Sequence, residues 1–425
     1  VLGVFGFFFF LLKKTERNKM KDFFGLHPTL KIRLIMNFFG TLCFSTVGGS
    51  MTIYYNKYMG AGITGLLLVI SSVMVFLVGL YAGHLSDVQG RRPVMIFSTA
   101  ITGFGGALAT FANSSFYFNP WVTFLGFLII NFGFGFFNTA SQAMIVDLTT
   151  SGNRRVVYSI QYWIINFAIM IGSGLSGWFF RDYLVWLLLA ITIEEIVSCL
   201  VVIFWIDESF NPDTQQHKQE SNIIKAYFTV AKDRIFMYYL FASVFIAMIF
   251  NQIDYYLPVH LSDSFRTARI FGIEVYGQRM LTIFLMVNTL VIVLFMGRVN
   301  KLTKNWSRSS GISIGIILQG LGFMIAFLGR DLTWELIAAL VATIGEMILV
   351  PFSQALRADL MDGDQVGTYT GAFSVTQPIA SVLSGILVSL SSLYGNIGMT
   401  IFMFFIIVLG VLPSLRAIRM HESHA

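Results

Sequence analysis

Long apolar runs separated by short polar stretches fill the chain from about residue 32 to residue 417. The runs lack the 3.6-residue stripe of a helix half-buried on a soluble core. At about 20 residues each they match the length a helix needs to cross a bilayer. The pattern predicts membrane spans at 32–55, 62–84, 93–112, 120–143, 156–179 and 184–206, and again at 236–258, 280–299, 309–329, 333–355, 366–390 and 395–417. The polar stretch 207–235 divides them into two sets. The expected organisation is an all-α integral membrane protein of twelve helices. It comprises an N-terminal six-helix half (20–206), a linker on the cytoplasmic side (207–235) and a C-terminal six-helix half (236–425).

The first run differs from the others. Val1–Leu12 is too short to span, carries no basic residue before it and is followed by Lys13, Lys14, Arg17 and Lys19. It fits neither a cleaved leader nor a span. Residues 1–19 are expected to be an extension ahead of a start at Met20.

Composition agrees with the runs and adds little to them. Hydrophobic residues make up 56% of the chain and charged residues 12%, about half the charged share of a soluble protein. The net charge of +6 is no nucleic-acid signal, because the basic residues sit in short loops rather than on a folded face. Of the 28 Lys and Arg residues, only Lys57, Arg181, Arg266, Arg269, Arg279 and Arg330 fall on the second side of the membrane. The positive-inside rule then puts both termini in the cytoplasm. Cys43 and Cys199 lie within apolar runs, and the six His residues show no ligand spacing. Neither a metal site nor a cofactor is expected, and no catalytic constellation marks an enzyme.

The two sets of spans echo each other. Gln142-Ala143-Met144-Ile145-Val146-Asp147-Leu148 closes the fourth run, and Gln354-Ala355-Leu356-Arg357-Ala358-Asp359-Leu360 closes the tenth. Leu175-Ser176-Gly177 and Leu383-Ser384-Gly385 match in the same way. A parallel repeat with a site between its halves is the logic of many secondary carriers.

Polar residues inside the runs are the candidate site residues, since an ionisable group in a bilayer is costly. Glu346 is the first, mid-run and without a neighbouring base. Asp254 is the second: Met248, Asn251, Asp254 and Tyr255 recur at helical spacing and are expected on one face, offering a soft cavity tolerant of cations. Glu194 and Glu195 are adjacent, so about 100° apart on a helix, and are not expected to share one cavity. Gly172-Ser173-Gly174-Leu175-Ser176-Gly177 fits G-x-G-x-x-G but lies inside a run, which makes it a helix-packing surface rather than a dinucleotide site.

The sharpest motif joins the second and third runs: Gly79-Leu80-Tyr81-Ala82-Gly83-His84-Leu85-Ser86-Asp87-Val88-Gln89-Gly90-Arg91-Arg92-Pro93. Gly79 and Gly83 are expected to admit close helix contact, and Gly90 to permit the turn. Asp87 is expected to face a helix N-terminus, and Arg91 to pair with Asp147. The motif resembles the loop signature of the major facilitator superfamily. With Met51-Thr52-Ile53-Tyr54-Tyr55-Asn56, Leu257-Pro258-Val259-His260-Leu261-Ser262 and Tyr276-Gly277-Gln278-Arg279-Met280-Leu281-Thr282-Ile283, the chain resembles the multidrug–proton antiporters of that superfamily, those of lactococcal type above all.

The resemblance implies proton-driven export of lipophilic, often cationic compounds by a monomer in the cell membrane of a Gram-positive bacterium. It assigns proton coupling and cation binding to Asp87, Asp147, Asp254 and Glu346, and the conformational loop to Gly83, Asp87, Gly90, Arg91 and Arg92; the helical spacing adds Asn251, Tyr255 and Met248 to Glu346 as expected substrate contacts. Gln161 departs from the pattern, which has an acid there. The competing expectations are a carrier of the same fold for a native solute or lipid, and a non-transporting membrane scaffold.

Overall fold

In the computed structural model, the described residues are 26–149, 154–210, 231–270, 272–360, 369 and 372–424. The expectation about residues 1–19 lies outside them. In chain order the elements are α1 (Pro28–Ser45), α2 (Met51–Gln89), α3 (Arg91–Phe111), α4 (Pro120–Leu148), α5 (Arg154–Trp205), α6 (Arg234–Asn251) and α7 (Tyr256–Ser264). They continue with β1 (Ala268–Ile270), β2 (Ile273–Val275), α8 (Gly277–Leu302), α9 (Arg308–Leu328), α10 (Leu332–Asp359) and α11 (Thr376–His424). Among the described residues the protein is an all-α membrane protein apart from one antiparallel two-stranded hairpin, in which Ile270 pairs with Ile273.

Among the described residues, nine helices are long and apolar enough to cross a membrane. Two of them are far too long for one crossing. At 1.5 Å per residue, the 52 residues of α5 and the 49 of α11 would exceed a bilayer core of about 30 Å more than twofold. Each leaves helical geometry once, at Tyr183 (φ −129°) in α5 and at Gly395 (φ 59°) in α11. Each therefore holds two spans, and with the shorter α1 the arrangement is compatible with twelve.

The first and seventh runs do not form the continuous helices expected. The first stops at Ser45, and a new helix opens at Met51 that breaks again at Gly60 (φ 79°). The seventh ends at Asn251, passes through the turn Gln252–Tyr255 and restarts at Tyr256. Hydropathy cannot register such breaks, because the residues on either side remain apolar.

Two compact units emerge. One comprises residues up to Val47 together with Met74–Thr214; the other comprises Gly48–Val73 together with the chain from Gln215 onward. In the first, α3 and α4 approach closely enough that a Cβ on Gly105 would lie 2.7 Å from the carbonyl of Gly126. In the second, α9 and α10 do the same at Gly315, where a Cβ would lie 2.8 Å from the Leu349 backbone. Small residues at equivalent crossings are how helices gain contact where lipid removes the hydrophobic drive between them. Gly172 bears out the packing reading of its motif, since a Cβ there would meet the Leu42 carbonyl at 2.6 Å. Segment 48–73 packs in the second unit through Gly65, which lies against the backbone of Gly385 and Ser389.

Candidate functional site

The loop between α2 and α3 turns at Gly90, whose φ of 96° is open to glycine and strained for other residues. The turn delivers Arg91 into the first unit, only 4% exposed, with Nε 3.0 Å from Asp147 Oδ2 on α4. Its Nη1 donates to the Ser86 carbonyl at 2.6 Å, and the guanidinium stacks over Phe210 at 4.9 Å. Asp147 also accepts from the Ser209 hydroxyl at 3.2 Å. Arg92 reaches the other way, donating to the carbonyls of Val202 and Ile203 near the end of α5. A cation there meets the negative end of the helix dipole.

The anion found at the N-terminus of α3 is Glu208. Its two oxygens accept from the backbone N–H of Arg91 and of Arg92, both at 3.0 Å. These are two of the donors a helix start leaves unsatisfied. The sequence assigned this place to Asp87, whose side chain lies outside the described residues. The expected close contacts at Gly79 and Gly83 are also missing among the described residues. A Cβ on Gly79 would meet nothing within 4 Å, and one on Gly83 would only graze Thr139 at 4.0 Å.

The second unit repeats the arrangement in exposed form. Arg308, opening α9, lies 2.8 Å from Asp359, closing α10, with the two side chains 43% and 40% exposed.

Glu346 sits midway along α10, half-buried. Asn288 of α8 donates to its Oε2 at 2.8 Å and to the Thr343 hydroxyl at 3.2 Å. No base pairs with Glu346 among the described residues. Gly345 beside it lies tight against Gln319 on α9, which fixes the crossing that presents the acid. Asn288 was missed in the sequence, although an amide in the eighth apolar run was the available signal.

The expected stripe on the seventh run is divided. Met248 and Asn251 are buried on α6. Asn251 accepts from Gln377 at 2.9 Å and donates to Ser381 at 3.4 Å, both on α11. Asp254 and Tyr255 lie beyond the helix end in the turn, where helical spacing no longer applies. Asp254 is exposed, and its carbonyl accepts from Thr52 at 2.9 Å. The Tyr255 hydroxyl lies 3.0 Å from that of Ser72. The four residues therefore do not share one helical face.

Glu194 and Glu195 both line one cavity of about 40 Å³ in the first unit, with Asn37, Thr41, Thr99, Thr102 and Ser198. This corrects the expectation that they would diverge. Glu194 approaches Gly40 on α1, and Glu195 approaches Gly103 on α3. Their part of α5 faces both helices, so two side chains about 100° apart open on one space. Gln161 is buried, its Oε1 without a hydrogen bond among the described residues, and Arg33 is buried with its Nε on Ser141.

A family model described as Major Facilitator Superfamily matches residues 33–385. The chain belongs to the Major Facilitator Superfamily. Relatives within the superfamily include a Na(+), Li(+), K(+)/H(+) antiporter of Planococcus maritimus, 25% identical over 392 residues, which cover 89% of this chain and 92% of the relative. A class H tetracycline resistance protein of Pasteurella multocida is 22% identical over 349 residues, covering 80% and 78%. Among solved structures, a POT peptide transporter in complex with alafosfalin aligns with a TM-score of 0.74 at 15% identity, covering 95% of this chain and 99% of that one. At that identity it speaks for the superfamily fold alone. Membership makes this protein a multi-pass membrane transporter; its relatives are transporters and not enzymes.

Proposed function

We propose that the protein is a proton-coupled antiporter that exports lipophilic, often cationic compounds by alternating access. The supporting observation is the setting of Glu346, a mid-span carboxyl with an amide donor and, among the described residues, no base. Asn288 orients it without neutralising it, so neutrality must come from a proton or a cation. Proton and cationic substrate then compete for one group, which is what exchange requires. Asn251, Tyr255 and Met248 serve substrate contact in this reading, and Asp254 serves proton transfer from its exposed turn. Asp147 is already engaged by Arg91 and Ser209, which suits a latch better than a proton carrier. Asp87 completes the loop element with Gly83, Gly90, Arg91 and Arg92.

A relative named as a tetracycline resistance protein and another named as a cation/H(+) antiporter agree with an exporter driven by ion exchange. Efflux of ethidium or Hoechst dye from cells expressing the chain, with and without a protonophore, tests the reading. Loss of efflux with the protonophore supports it, and dye retention identical to that of empty cells overturns it.

A second reading is exchange of inorganic monovalent cations for protons. The cavity between Glu194 and Glu195 favours it: two carboxylates and the side-chain oxygens of Asn37, Thr41, Thr99 and Thr102 suit a hard cation. Sodium- or potassium-driven proton flux in proteoliposomes, lost on Glu194→Gln or Glu195→Gln, would single it out.

A further inference from the structure

The second unit contains a carboxyl and an imidazole that the transport reading does not use. Glu335, in the first turn of α10, has a side chain 0% exposed, and neither of its oxygens accepts a hydrogen bond among the described residues. Its Oε1 lies 3.9 Å from Nε2 of His260 on α7, also fully buried. That nitrogen lies 2.7 Å from the carbonyl of Gly329, the cap of α9. A carbonyl only accepts, so Nε2 carries hydrogen, and the Asn396 side chain is the other polar group beside the ring. The charged groups around the imidazole are Asp263 on its own helix, held by Asn56 at 2.6 Å, and Arg330 in the α9–α10 loop. The Tyr256 ring lies 6.2 Å away, and its hydroxyl is committed to Asn396 on α11 at 2.9 Å.

An ionised Glu335 beside a neutral His260 would be a buried carboxylate with neither a hydrogen bond nor a counter-charge, the costliest form available. Two forms avoid it: a protonated carboxyl beside neutral imidazole, and a carboxylate beside imidazolium. Both contain the same one proton. We propose that Glu335 and His260 form a proton-binding site at the end of the bundle one span away from the linker, holding a proton between them while α7 packs against the end of α9, beside the start of α10. Opened to water, Glu335 becomes an ordinary carboxyl and releases that proton. The site is therefore loaded when these helix ends are packed and empties when they part. The same corner is tied by the Arg266 backbone N–H on the Arg330 carbonyl at 2.7 Å and by the exposed Arg266–Asp331 pair. The site stands whether or not the transported compounds are drugs.

The test uses the full chain in lipid nanodiscs without substrate. Infrared difference spectra across pH report protonated carboxyls directly, and ring-nitrogen NMR with labelled histidine reports His260. One carboxyl band that persists through neutral pH should vanish in Glu335→Gln and survive in Glu346→Gln. In His260→Asn it should titrate at lower pH, because the imidazolium form of the proton-loaded pair is gone. Gln mimics the protonated acid, so Glu335→Gln should fold. Should it not, the wild-type spectra decide: the His260 ring signals should shift as the band titrates. A band unchanged in Glu335→Gln, a titration indifferent to His260→Asn, or His260 ring signals that do not change while the band titrates would each overturn the site.

Discussion

The guanidinium of Arg91 meets the carboxylate of Asp147 at 3.0 Å inside the first unit, joining the start of α3 to the end of α4. Half a chain later Arg308 and Asp359 join the equivalent helix ends in the open. Chemistry and position repeat while burial does not, and burial sets what each pair is worth. With Arg91 4% and Asp147 25% exposed, losing one partner costs more than the about 0–1 kcal/mol of an exposed pair and less than the about 3–5 kcal/mol of a fully buried one. Arg91→Ala should therefore lower the thermal stability of the purified protein sharply, and Arg308→Ala should barely change it. Exchanging the charges, Arg91→Asp with Asp147→Arg, should recover part of the loss in transport. Equal melting shifts for Arg91→Ala and Arg308→Ala would show that burial does not govern these pairs.

Glu346→Gln keeps the shape of the acid and the bond from Asn288 while removing the charge. Dye efflux should fall most for divalent cationic substrates and least for neutral ones, at unchanged protein abundance. Asn288→Ala removes the orienting donor at a cost of about 1 kcal/mol, and should weaken efflux less than Glu346→Gln does. Parental rates in both variants, measured in everted vesicles, would assign Glu346 a structural role.

Glu208 holds two backbone donors of α3, so Glu208→Ala should cost about 0.5–2 kcal/mol, the usual range for a lost helix cap. Glu208→Gln keeps one acceptor oxygen and should lose less. Thermal unfolding of both variants, in detergent, gives the ordering; the reverse order would remove Glu208 as the cap.

Gly65 leaves no room for a side chain against Gly385 and Ser389. Gly65→Ala should destabilise by about 1–3 kcal/mol, as overpacked sites do, and Gly65→Val by more. Gly60→Ala meets no neighbour within 4 Å but has a φ of 79°, so its cost, about 1–2 kcal/mol, should come from the backbone alone. Melting temperatures of the three variants separate packing from backbone strain.

The membrane class, the repeat and the loop partner of Arg91 were legible because each leaves a mark along the chain: runs of bilayer length, matched segments and a spaced motif. The breaks at Gly60 and at Gln252–Tyr255 were not, since hydropathy is blind to φ and ψ. The stripe expected from Met248 to Tyr255 failed for that reason. Glu194 and Glu195 were misjudged on one helix considered alone; the two neighbours α1 and α3 make their cavity common. Asn288 and Glu335 could have been noticed as polar residues in apolar runs. His260 was in plain view within a quoted segment, but only the fold brings it to Glu335. Glu208 was out of reach, because what it caps lies more than a hundred residues earlier.

Segment 48–73 has a consequence for dividing the gene. A C-terminal fragment beginning at the linker would be translated without the piece that fills the groove beside Gly385 and Ser389, and would expose that backbone. An N-terminal fragment would carry the same piece with nothing to hold it. Co-expressed fragments split within 211–230 should thus recognise each other through Gly65, donor and acceptor of one missing part. A fragment starting at Gln215 and expressed alone should be degraded unless residues 48–73 are supplied in trans.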